Sequence, residues 1–87
     1  MARHAEPQVA LGRTIAARRE ELGLKQEQLA LAVGTDQARI SRIENAGDNP
    51  SYGLVDRIAK ALGWELWELA KRASELETSG HRPRGAV

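Results

Sequence analysis

The sequence predicts an all-α domain of five short helices. Three observations lead there. Apolar residues return at spacings of three and four rather than two. Glycines stand just past the ends of the periodic segments, and Asp36 and Ser51 stand just ahead of two of them, where helix N-caps belong.

Leu11, Ile15 and Leu22 set a first helix over about residues 8–22, stopped by Gly23. The second covers about 26–33, and Gly34 supplies the positive φ of a corner. Asp36 caps a third helix over about 37–44. The stretch NAGDNPS forms a turn, and its Ser51 caps a fourth helix over about 52–62 with Leu54, Ile58, Ala59 and Leu62 turned inward. Gly63 ends it. A fifth helix, about 65–77, carries Leu66, Leu69, Ala70, Ala73 and Leu76 in one apolar stripe over three turns. A domain this small needs only the first one or two of those turns, so the stripe reads as a surface for a second copy, with Trp67, Ala70, Ala73 and Leu76 at the dimer interface. Trp64 and Trp67, in a chain without phenylalanine, add a concentrated packing anchor. The domain organisation is a flexible arm over 1–7, the helical domain over 8–77 with its dimerisation helix, and a disordered tail over 78–87.

At 87 residues there is room for one small domain whose core is marginal alone, which again favours self-association. No cysteine is present, so disulfides and thiolate metal sites are excluded. The two histidines, His4 and His81, lie in terminal segments that do not orient them as ligands, so no metal or cofactor is expected. With no long apolar run, the chain reads as cytoplasmic and free of the membrane. The net charge of +1 hides an uneven distribution. Arg3, Arg13, Arg18 and Arg19 face only Glu6 in the first 19 residues, and Arg82 and Arg84 lie in the tail, whereas residues 20–80 carry seven basic and eleven acidic groups. This pattern permits binding to nucleic acid without requiring it.

The third helix is the most informative. At 100° per residue, Ile40 and Ile43 share one side, and Gln37, Ala38, Ser41, Arg42 and Asn45 crowd the other. An amide, a methyl, a hydroxyl and a guanidinium in one row suit base edges or phosphates. The plainer reading is a polar surface helix.

The wider pattern is more specific. Counting from Gln26, the fifth residue is the small Ala30, the ninth is Gly34, and the fourth, eighth, fifteenth and eighteenth are Leu29, Val33, Ile40 and Ile43. Ala30 lets two helices cross closely, Gly34 makes the corner, and the apolar four lock the pair to the domain. This combination resembles the helix-turn-helix of the phage lambda repressor and Cro family, also called the XRE family. GRTIAARREELGLKQEQLA and NPSYGLVDRIAKALGWELWEL are similar to the family's flanking helices, so that about residues 11–70 are covered.

The resemblance implies a compact five-helix lambda-repressor-like domain that binds double-stranded DNA. It implies base contacts from Gln37, Ala38, Ser41 and Arg42, and phosphate contacts from Gln26 and Asn45. Lys25 stands where the family has a serine or threonine cap and brings an ammonium beside that phosphate; Ser51 and Tyr52 offer neutral hydrogen bonds to the backbone. Arg19 and Glu44 match a structural ion pair. Arg18 reads as a solvated charge. Asp48 departs from the family's basic or neutral loop and weakens any grip by that loop.

The first reading is therefore a homodimeric repressor or controller of transcription with an inverted-repeat operator. Alternatives are an antitoxin paired with a toxin, and a protein-interaction module that does not touch DNA, for which Leu31 and Trp67 look exposed. Contact with RNA polymerase is a further possibility. Catalysis fits poorly: the carboxylate groupings Glu20-Glu21 and Glu65/Glu68 lack a nucleophile, a base and an oxyanion site.

Overall fold

Pro7 opens the first helix at a position whose amide would be unpaired in any case. The computed structural model describes residues 6–77. They form α1 (Pro7–Glu21), α2 (Gln26–Val33), α3 (Gln37–Glu44), α4 (Tyr52–Ala61) and α5 (Leu66–Glu77), with no strand among the described residues. The expected tail and the first five residues of the expected arm lie outside them. Pro7 itself belongs to α1.

Two of the caps are side-chain oxygens: Asp36 accepts from Arg39 N at 2.8 Å and Ser51 Oγ from Leu54 N at 3.1 Å. Lys25 has no such oxygen. Instead the Gln28 carboxamide reaches back to the Lys25 N–H at 2.8 Å, one half of a capping box, and Glu68 does the same for Glu65 at 2.9 Å. At the other ends one closure recurs. After α3, Gly47 N donates to Arg42 O at 2.7 Å and Ala46 N to Ile43 O at 3.2 Å, a Schellman turn. The equivalent left-handed residue is glycine after α1, α2 and α4, but Ala46, at φ 63°, after α3.

Ile15, Leu29, Ile40, Ile43, Ile58, Leu62 and Leu69 are fully buried and draw one side chain or more from every helix into a single core. α2 packs on α3 and α4, while α1 lies against both α3 and α5. Gly12 makes the first of those α1 contacts possible: a Cβ there would stand 2.5 Å from Ile43 O and 2.6 Å from Glu44 O.

The packing of α1 corrects the expectation that the later turns of α5 lack a cover within the domain. Ala73 is only 7% exposed, and half-buried Leu76 shares a cleft with Arg13, Thr14 and Ala17 of α1. The reason is length: at 1.5 Å per residue the 15 residues of α1 extend about 22 Å, enough to run beside the 12 of α5. Thr14 turns its hydroxyl back onto Ala10 O, 2.7 Å away, so that no polar group is stranded in the seam. Arg18 is also corrected from a solvated charge. Its Nε donates to Leu62 O at 3.0 Å, its Nη1 to Glu21 at 2.9 Å, and its guanidinium carbon lies 4.9 Å from the centre of the half-buried Trp64 ring. The free carbonyls at the end of α4 attract it there.

Candidate nucleic-acid interface

α3 is amphipathic in the sense its spacing predicts. Ile40, Ile43 and Glu44 are buried, whereas Gln37, Ala38, Arg42 and Asn45 are exposed and Ser41 is half-exposed. The tight turn at Gly34 then sets the start of α2 beside the start of α3. Between them is an open recess of about 520 Å³ lined by Arg19, Lys25, Gln26, Glu27 and Gln37.

A chain of hydrogen bonds ties this surface to the interior. Arg19 donates from Nε to Glu44 Oε2 at 2.6 Å and from Nη2 to Oε1 at 3.1 Å, and its Nη1 reaches Leu24 O at 2.7 Å. The two side chains are 11% and 4% exposed. The bond to Glu44 raises the Arg19 pKa above its already high value, and burial opposes that only in part. Gln26 Nε2 donates to the same Glu44 Oε1 at 2.8 Å, and Gln26 Oε1 accepts from Gln37 Nε2 at 2.7 Å. Gln26, expected at a phosphate, thus also fixes the orientation of Gln37.

Asn45 folds its Nδ2 onto Ser41 O at 2.8 Å. Ser51 spends its oxygen on the α4 cap. Tyr52 is 79% exposed and lines a different surface, a groove of about 470 Å³ shared with Glu65, Leu66, Trp67 and Ala70. The residues expected at a dimer interface are therefore divided: Trp67, 66% exposed, and Ala70 face this groove, while Ala73 and Leu76 lie toward α1.

Arg57 and Gly12 escaped the sequence reading, and Asp48, read there only as a departure from the family's loop, has partners that reading did not include. Asp48 Oδ2 accepts from Arg39 Nε at 3.2 Å and lies 3.8 Å from Arg42 Nε. Arg57 Nε donates to Val33 O at 3.2 Å and so finishes α2. Gly12 gives no clue beyond being a glycine within a helical pattern, which is itself a sign of close approach.

The helix pair, its corner and its exposed row are the parts that a family model described as helix-turn-helix matches, over residues 15–66. The chain belongs to that family, in its lambda repressor and Cro branch. An uncharacterized HTH-type transcriptional regulator of Methanothermobacter thermautotrophicus is 49% identical over 47 residues, which are 54% of this chain and 68% of that one. Among solved structures, the restriction-modification controller protein C.AhdI from Aeromonas hydrophila is similar at 32% identity and a TM-score of 0.69, over 71% of this chain and 94% of the other. The DNA-binding domain of the P22 c2 repressor is similar at 28% identity and a TM-score of 0.70, over 85% and 93%. The clp gene regulator ClgR from Corynebacterium glutamicum, at 22% identity and a TM-score of 0.80 over 88% and 99%, shares the fold. This helix-turn-helix family and its fold are those of DNA-binding transcription regulators, not of enzymes. Among the described residues no helix is long and apolar enough to cross a membrane, and no group of three or more His, Cys, Asp or Glu could hold a metal ion.

Proposed function

We propose that the protein is a homodimeric, sequence-specific repressor or controller of transcription that reads an inverted-repeat operator through α3. The observation that carries the reading is the exposed row Gln37, Ala38, Ser41 and Arg42, with Gln37 held by Gln26 at the head of α2. Chemistry assigns Gln37 to adenine, Ala38 to a thymine methyl and Arg42 to guanine, with Ser41 beside them. Lys25, Gln26 and Asn45 take phosphates, the first two because a helix N-terminus favours an anion. Ser51 and Tyr52 add neutral contacts to the backbone. A second copy covers the groove at Trp67 and Ala70, which a monomer leaves open.

The test is selection of bound duplexes from a random pool at about 0.15 M salt. An inverted repeat with half-sites about 10 bp apart is the expected product. Arg42→Ala should then relax one position of each half-site and cost about 1–3 kcal/mol there. A folded protein that enriches no sequence refutes the proposal.

A further inference from the structure

We infer that Asp48 is a positioning residue for base selection: its carboxylate orients the Arg42 guanidinium for the groove. The inference rests on the DNA-reading proposal and deepens it. Arg39 and Arg42 are one turn apart on α3, and a single oxygen, Asp48 Oδ2, faces the Nε of both, at 3.2 and 3.8 Å. The Asp48 side chain is 24% exposed and is delivered by a closed turn rather than a loose loop. Gly47 N donates to Arg42 O at 2.7 Å, so the chain just before Asp48 is tied to the main chain of the arginine it faces.

The geometry matters because of which nitrogen is engaged. Asp48 approaches Arg42 at Nε as a charge contact at 3.8 Å, beyond hydrogen-bond reach, and neither Nη donates a hydrogen bond to the described residues. The fork that would address guanine O6 and N7 stays open, while the carboxylate, held by Arg39, attracts the guanidinium from its Nε edge. An arginine without such a partner samples many rotamers and grips a neighbouring phosphate as readily as a base. The same carboxylate repels the DNA backbone, which weakens binding to every sequence alike. Asp48 therefore lowers total affinity and raises discrimination, and this gives a selective role to the acidic residue that departs from the family's basic or neutral loop.

Asp48→Asn preserves the shape of the side chain and removes its charge. With the selected operator and a duplex altered at the base pair read by Arg42, the variant should bind non-operator DNA several-fold more tightly. Its preference for the correct base pair should fall several-fold with the protein still fully folded at the assay temperature, the loss of the Arg39 ion pair costing at most a few degrees of melting temperature. In an Arg42→Ala background the same change should still tighten non-operator binding but leave base preference where it is. If Asp48→Asn shifts affinity for the operator and the altered duplex by one common factor, Asp48 is only a charge and the inference fails. A sharper preference would mean that Asp48 withholds Arg42 and would also overturn it. A parent protein that selects no operator sinks the DNA-reading proposal and this one together, whereas a selective parent with an indifferent variant sinks only the role of Asp48.

Discussion

Gly12→Ala adds one methyl group and should be among the more damaging changes in the protein. The new Cβ would stand 2.5 Å from Ile43 O, 2.6 Å from Glu44 O and 2.9 Å from Glu44 C. All three are main-chain atoms of the last turn of α3, so no rotamer change relieves them. Reaching about 3.3 Å, the near limit of carbon–oxygen contacts, requires the helices to part by roughly 0.8 Å. Close-packed interiors resist such a shift, and overpacking typically costs 1–3 kcal/mol or somewhat more. In the other direction, alanine is the better helix former by about 1 kcal/mol. Taking about 3 kcal/mol for the clash leaves a net loss of about 2 kcal/mol, against a total stability of roughly 4–11 kcal/mol for a domain of this size.

Urea unfolding followed by circular dichroism measures it. With a slope near 1 kcal/mol/M, the midpoint should fall by about 2 M at unchanged slope. Gly53→Ala is the matched control, because its Cβ would meet only the Arg57 guanidinium, at 3.9 Å, within the same helix. It should be neutral or stabilising by up to about 1 kcal/mol. If Gly12→Ala is as stable as its parent, α1 does not seat on the end of α3 at these distances.

Glu44→Ala strips the buried Arg19 of its carboxylate and should cost about 3–5 kcal/mol, enough to leave much of the protein unfolded in a thermal melt. Ala46→Gly relieves a left-handed alanine, so it should raise stability by about 1 kcal/mol in the same urea assay. Trp67→Glu charges the open groove; sedimentation velocity at micromolar concentration should show dimer for the parent and monomer for the variant, with melting temperature at low concentration preserved. Ser51→Ala removes the α4 cap at a cost of about 1 kcal/mol.

How much of this was legible follows from the range of the interactions. The elements were, because their signals are local: the cap at Asp36, the corner at Gly34 and the two-faced spacing of α3 each need only neighbouring residues. The pairing of Arg19 with Glu44 came from the family resemblance, since nothing in the spacing of residues 25 apart announces it. The fate of α5 was misjudged for a related reason. Its apolar stripe is real, but which part is covered depends on the course of α1, and no local pattern encodes the direction in which one helix crosses another. Arg18 failed likewise, because its partners at Leu62 and Trp64 are more than forty residues away. One signal was available and passed over. Gln28 and Glu68 stand three residues after their N-caps, the spacing of a capping box, so Lys25 did not leave α2 without a cap.

The network around Glu44 shows why stability and recognition are not separable in so small a domain. One carboxylate holds Arg19 with both oxygens, and Oε1 also holds Gln26, which in turn holds Gln37. The side chain proposed to meet a base is thus two hydrogen bonds from a buried ion pair that fastens α1 to α3. Gly12 presses α1 onto the carbonyls of Ile43 and Glu44, so the anchor of that network is set by backbone contact as well as by charge. A substitution at either place must therefore act twice, once on unfolding and once on the orientation of Gln37. The second effect should survive under conditions where the variant is fully folded. Asp48 shares no hydrogen bond with this network and holds Arg39 instead, so its neutralisation can change base preference without disturbing the Glu44 anchor of Gln37.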